Sequence, residues 1–233
     1  MKLQLITGLS ILLLASCAES TDNEEPQSTK ENLTTDTTSV ENVEEEIIEE
    51  TNTFQYFEDY LSLTNKEEIF ETLGEENLKE GSSWYAEGTV EFKHIVYTNP
   101  ENAQVIKFVM EEEDDSEVSM IEVHYNIVNE NYEVESTQKV ESSCGIYTGM
   151  KLADVVELNR APLNFSGFAW DFAGSVMNMN GGELENCKTN FRLDLENWDD
   201  MPGELLGDME LNSDMDDVKA ADIIIEEITL FKD

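Results

Sequence analysis

Few residues in this chain have the types and spacing that chemistry requires. His94 and His124 fall in stretches that alternate as β-strands, so a sheet could bring them together as metal ligands. The sequence marks no third ligand, and two ordinary strand histidines are the competing reading. The segment Gly167-Phe168-Ala169-Trp170-Asp171-Phe172-Ala173-Gly174 is the most distinctive in the chain. As a strand it sets Phe168, Trp170 and Phe172 on one face, with Asp171 between two alanines on the other. That strand is either a core element with an exposed carboxylate or a ligand groove beside Trp170 and Asp171, where the alanines leave room. Residues 194–200 and 214–217 are dense in oxygen ligands but lack the glycine-centred frame and distal Glu of a calcium loop. They read as solvated charge runs. No Gly-x-Ser-x-Gly, Cys-x-x-Cys or phosphate-cradling glycine loop occurs, so no catalytic residue, metal site or cofactor is assigned. A glycosidase-type carboxylate pair would have to come from 41 acids in residues 53–233, none of which stands out.

The three cysteines divide by position. Lys2 precedes an apolar run from Leu3 to Leu14, the charged and hydrophobic parts of an export signal. That run is far short of the roughly 20 residues a spanning helix needs. It ends Leu14-Ala15-Ser16-Cys17, which resembles the bacterial lipobox, in which small residues admit the signal peptidase and a thiol takes the diacylglyceryl group. The resemblance implies a lipoprotein with a signal peptide at residues 1–16 and a lipidated (diacylglyceryl, palmitate-type) Cys17, anchored in the outer membrane. Each buried methylene of the acyl chains contributes about 0.8 kcal/mol to anchoring. Ala18 stands where enteric inner-membrane lipoproteins carry Asp, and the acidic segment that follows resembles those of Bacteroidota surface lipoproteins. Both the surface and the periplasmic face stay open. Cys144 and Cys187 then form an even pair in an oxidising compartment, and a disulfide between them is expected. The alternative is two buried thiols.

Charge excludes several partners. The chain has a net charge of −40, with 53 acids against 13 bases. Residues 18–52 hold 12 of the acids and one Lys, and residues 53–233 hold 41 acids and 11 bases, so tail and domain are both acidic. Nucleic acid is disfavoured because its binding depends on neutralising phosphates with Lys and Arg. Anionic lipid is repelled, and a cationic protein or glycan partner is favoured. Residues 17–52 are poor in aromatics and rich in Glu, Thr, Asn and Ser, so a disordered tether is expected, with a reach of about 120 Å when fully stretched.

Residues 53–233 alternate between helical and strand patterns. Phe54, Phe57, Leu61 and Leu63 suggest a short amphipathic helix or a docking segment. Thr64 with Glu67 three residues on predicts a capping box opening a helix that Gly74 ends. Strands are expected at 89–97, 104–110, 117–125 and 132–140. A second helix at 150–159 precedes strands at 165–176, 187–195, 205–211 and 223–231, with a helical turn at 214–221. The fold class is α+β: short helices on antiparallel sheet, arranged as two tandem helix-plus-strands halves at 53–142 and 143–233. Gly145-Ile146-Tyr147-Thr148-Gly149-Met150-Lys151-Leu152 followed by Asp154-Val155 resembles the start of small outer-membrane-assembly lipoproteins and of the related β-lactamase-inhibitor-like fold, which is often duplicated. Lys151 departs from the Ser or Thr of those families. Residues 164–174 with Gly181-Gly182-Glu183-Leu184 resemble uncharacterised Bacteroidota envelope lipoproteins. The expectation is a membrane-anchored envelope lipoprotein whose acidic domain is a binding or structural module; the alternative is a carboxylate-based hydrolase of cell-surface glycan.

Overall fold

The computed structural model describes residues 54–86, 88–111, 114–199 and 202–232. The signal, Cys17 and the tether lie outside the described residues. The described chain is β-rich with short helices. Three α-helices, α1 (Lys66–Leu73), α2 (Leu152–Asn159) and α3 (Asp216–Ala220), accompany eleven strands. A meander of β1 (Leu78–Tyr85), β2 (Val90–Thr98), β3 (Val105–Met110) and β4 (Val118–His124) is followed by a hairpin of β5 (Asn126–Val128) and β6 (Val134–Thr137). After α2 come β7 (Asn164–Ser166), β8 (Val176–Asn178), β9 (Asn190–Leu195), β10 (Glu210–Asn212) and β11 (Ile223–Phe231).

One antiparallel six-stranded sheet, ordered β1-β2-β3-β4-β11-β9, draws strands from both sides of the 142/143 boundary. β10-β7-β8 form a smaller sheet. Strand alternation gives the large sheet two unlike faces. On one, Ile95, Phe108, Ile121 and Leu230 line up across four strands and join the core. Phe57, Ile69, Leu152, Val155 and Phe165 belong to the same cluster. On the other, Val96, Lys107, Glu122, Thr229 and Asn190 line up instead.

A bulge in β11 keeps both ends of that strand in register with the core. Ile223 and Ile225 are buried, and so are Ile228 and Leu230, which a strict period of two would place on opposite faces. The register shift between Ile225 and Glu227 supplies the extra residue, Glu226, that reconciles them.

Local sequence logic holds with corrections. The segment from Phe54 does dock: Phe57–Ser62 is a 3-10 helix with Phe57 and Tyr60 buried, and Phe54 stacks on Tyr60 at 4.4 Å. The cap of α1 sits one residue later than expected. Asn65, not Thr64, is the N-cap and accepts from the Glu68 N–H at 3.0 Å. Glu68 in turn accepts from both the Thr64 N–H and its hydroxyl, at 2.7 and 3.0 Å. Gly74 ends the helix with φ +80°. Lys151 precedes α2 without capping it; its ammonium pairs with Asp222 at 2.9 Å and with Glu196.

Candidate functional site

The polar face of the large sheet gathers the densest set of ionisable groups. It is built by residues that alternation turns away from the core: Lys107 on β3, Glu122 and His124 on β4, Glu227 on β11 and Arg192 on β9. Tyr85, at the end of β1, reaches over the face to join them. Its hydroxyl donates to both Glu122 oxygens at 3.0 Å and accepts from Lys107 Nζ at 2.9 Å. Lys107 Nζ also lies 2.8 Å from Glu122 Oε2, and the Glu122 side chain is only 5% exposed. His124 stands between two carboxylates, with Nε2 3.8 Å from Glu122 and Nδ1 3.9 Å from Glu227. Arg192 donates to Glu227 from Nε and Nη2 at 3.1 and 2.7 Å, and Thr229 Oγ1 donates to Glu227 Oε1 at 2.9 Å.

The electrostatics follow from burial and pairing. Burial alone would raise the Glu122 carboxyl, but His124 and Lys107 beside it overturn that and hold it at about 2. Burial, then the Glu122 charge, pushes the Tyr85 phenol far up. Glu122 is therefore a fixed anion and Tyr85 a fixed donor at neutral pH. Burial raises Glu226 and Asp194 above ordinary carboxylate values. Glu226, set apart by the bulge, accepts from the Asn126 side chain at 2.8 Å. His94 is pushed down by burial and by Lys107, which favours its neutral ring. Its Nδ1 lies 3.1 Å from Ser83 Oγ. Among the described residues, every fully buried side-chain nitrogen and oxygen has a hydrogen-bond partner. The network satisfies itself, so it can fix a geometry, and no buried polar group in it is left over for a ligand. An open cleft of about 220 Å³ borders its Arg192–Glu227–Thr229 end.

The histidines do not meet on adjacent strands. β3 separates β2, which carries His94, from β4, which carries His124. Among the described residues no three His, Cys, Asp or Glu side chains converge as a metal site would require.

The expected strand at 165–176 is also corrected. The regular strand ladder stops at Ser166 and resumes at Val176, with only isolated bridges at Phe168 and Ser175 between them. Between them the chain makes a loop closed by the Ser166 N–H to Ser175 carbonyl bond at 3.0 Å and the Gly174 N–H to Ser166 carbonyl bond at 3.1 Å. Ala169 adopts φ +63°, which breaks alternation. Phe168 is fully buried, whereas Phe172 is 57% exposed and Asp171 faces solvent. Trp170 lies between these extremes, its indole N–H donating to the Gly167 carbonyl at 2.8 Å and its ring meeting Phe172 edge-on at 5.3 Å. Trp170 and Asp171 therefore sit on a surface loop, not along a groove-lining strand. Gly167 and Gly174, at the two necks of this loop, are the breaker signal that the alternation masked. A Cβ on Gly167 would come within 3.0 Å of the Leu205 carbonyl and 2.6 Å of the Gly207 carbonyl, and one on Gly174 would strike the Leu193 carbonyl.

Cys144 and Cys187 lie at disulfide distance, with Cα atoms 6.0 Å apart and a sequence separation of 43. Sequence reasoning missed the carboxylate beside them. Glu58, on the Phe57–Ser62 turn, accepts from the Ser143 N–H at 2.9 Å, from the Ser143 hydroxyl at 2.9 Å and from the Thr189 hydroxyl at 3.1 Å. Ser142 Oγ donates to it as well, and these bonds hold its carboxyl below the usual value although burial opposes them. A separation of 84 residues between Glu58 and Ser142 leaves no local sequence signal for that contact.

No protein-family model matches this chain, and no curated protein or solved structure matches it significantly.

Proposed function

We propose that the chain is a lipoprotein of the bacterial envelope, held at the outer membrane through Cys17, whose acidic α+β domain binds a cationic macromolecule, most simply a protein. The observation that carries this reading is how the domain uses its few cations. Lys66, Lys107, Lys151, Arg160, Arg192 and Lys219 each lie within 4 Å of a carboxylate. With 41 acids against 11 bases in residues 53–233, these internal pairs leave the surplus negative charge to solvent. Such a surface steers cationic partners and repels anionic ones. The succession of α1 before β1–β4 and α2 before β7–β11 also fits descent from a duplicated helix-plus-strands unit.

The anchor is tested by Cys17→Ala, which should move the protein from the membrane to the soluble fraction; continued membrane retention refutes lipidation. Partner binding is tested by crosslinking in cells, with recovery falling as ionic strength rises. A partner whose recovery ignores salt refutes the electrostatic reading. A second reading, a carboxylate-based hydrolase acting on cell-surface glycan, draws on Asp194 and Glu226, both raised by burial. It requires a glycan turnover that Glu226→Gln abolishes; turnover surviving that change refutes it.

A further inference from the structure

We infer that the loop carrying Trp170 and Phe172, together with the turn carrying Leu206 and Met209, is the docking surface for a cationic amphipathic protein segment. The inference rests on the cationic-partner reading and gives it a place on the molecule. The two stretches are remote in sequence but are fastened into one surface. The Phe168 N–H donates to the Leu205 carbonyl at 2.8 Å, the Gly207 N–H to the Phe168 carbonyl at 2.9 Å, and the Gly167 N–H to the Met209 carbonyl at 2.8 Å. Met209 crosses Gly167, its Cγ standing 3.1 Å from where a Cβ would be, while the Trp170 indole bonds the carbonyl of the same residue. The apolar side chains nevertheless turn outward: Phe172 is 57% exposed, Met209 41% and Leu206 37%.

A backbone this tightly bonded loses little freedom on binding, so the cost of ordering the loop is small for the apolar side chains it presents. Methionine and aromatic residues are the types enriched there. The charge around them selects the occupant. Asp171, Glu204 and Asp208 are exposed within the same two stretches. No Lys or Arg occurs in residues 161–187 or 193–218. A segment that places apolar side chains on Phe172, Leu206 and Met209 and Lys or Arg against the three carboxylates and the Trp170 ring matches both properties.

The test uses an amphipathic helical peptide built from Lys and Leu, a Lys and Ser peptide of equal charge, and titration calorimetry on the unlipidated chain. The Lys and Leu peptide should bind the tighter of the two. Phe172→Ser with Met209→Ser should weaken it by about tenfold or more, as loss of an interface centre does. Trp84→Ser, at an edge-strand residue that is 62% exposed, should leave binding unchanged. Near-ultraviolet circular dichroism checks that each variant keeps its fold. If both peptides bind and the double substitution changes neither, this surface is wrong while the cationic-partner reading stands. If neither peptide binds, that reading fails with it. If the wild-type chain self-associates, or binds phosphatidylcholine vesicles, and the double variant does neither, the occupant is a second copy or a lipid surface and the inference is overturned.

Discussion

Replacing Lys107 with Met isolates the energetics of the polar sheet face. The substitution keeps the volume and apolar stem of the side chain but removes the ammonium 2.8 Å from Glu122. Glu122 then keeps the Tyr85 hydroxyl and His124 but loses its nearest cation. Holding that carboxyl at about 2 instead of 4.5 corresponds to roughly 3 kcal/mol of folding free energy, which His124 and Lys107 share. One-sided removal of a buried pair typically costs ~3–5 kcal/mol, but Glu122 keeps His124 and the Tyr85 hydroxyl, so a loss of about 2 kcal/mol is expected. The folded value lies below the unfolded one, so this contribution is complete above about pH 4.5 and is lost as pH falls toward 2. Urea unfolding of the unlipidated chain, followed by far-ultraviolet circular dichroism, measures it. Lys107→Met should lose about 2 kcal/mol at pH 7 and much less near pH 3, where Glu122 can protonate. The double variant Lys107→Met/Glu122→Gln has no unpaired charge and should regain most of the loss, while sharing the background titration of the other acids. A loss below about 1 kcal/mol at pH 7, or a double variant no more stable than the single one, refutes the argument.

Three further changes probe other parts of the fold. Cys144→Ser with Cys187→Ser opens a link spanning 43 residues and should cost about 4 kcal/mol from loop closure, read by the same urea unfolding; non-reducing peptide mapping of the wild type should show the two cysteines joined. Asn159→Ala removes donors to the Ala161 and Met179 carbonyls and an acceptor for the Leu184 N–H, all at a fully buried residue, so a loss of about 3 kcal/mol is expected; a loss under about 1 kcal/mol shows that another group replaces these bonds. Gly174→Ala drives a Cβ into the Leu193 carbonyl at φ +67°, and should lower the thermal midpoint by several degrees or more; an unchanged midpoint refutes the close packing of the loop on β9.

The sequence made the longer elements legible because their signals are local. Residues 89–97, 104–110, 117–125 and 223–231 were expected as strands and are β2, β3, β4 and β11, and Gly74 ends α1 with a positive φ. β1 was missed because Leu78-Lys79-Glu80-Gly81-Ser82-Ser83 has no apolar alternation; its partner is β2 alone, so one edge can remain polar. The register shift at Glu226 was invisible because four of the six residues from Ile223 to Ile228 are Ile, a run in which either register looks acceptable. The charged face escaped for a different reason. Lys107, Glu122, Glu227 and Arg192 each look like ordinary solvated charges, and only the pairing of β3 with β4 and β11 with β9 joins them. At 165–176 apolar period and glycine breakers disagreed, and the glycines prevailed because close backbone contacts with residues 193, 205 and 207 leave no space for a side chain.

Glu58 gives the domain a mechanical property. The described residues begin with Phe54 and the Phe57–Ser62 turn, so under the proposed Cys17 anchor a pull would reach the described fold there first. Glu58 binds that turn to Ser142 and Ser143 on one side and to Thr189 on the other, the neighbours of Cys144 and Cys187. Tension arriving at the turn is therefore shared between two segments far apart in sequence that the sulfurs join covalently. The Phe57 N–H to Glu141 carbonyl bond at 2.9 Å loads the same point. With Cys17 as the proposed anchor, the first part of the described fold to feel a drag on it is thus bonded beside the Cys144–Cys187 pair, which would resist its peeling away.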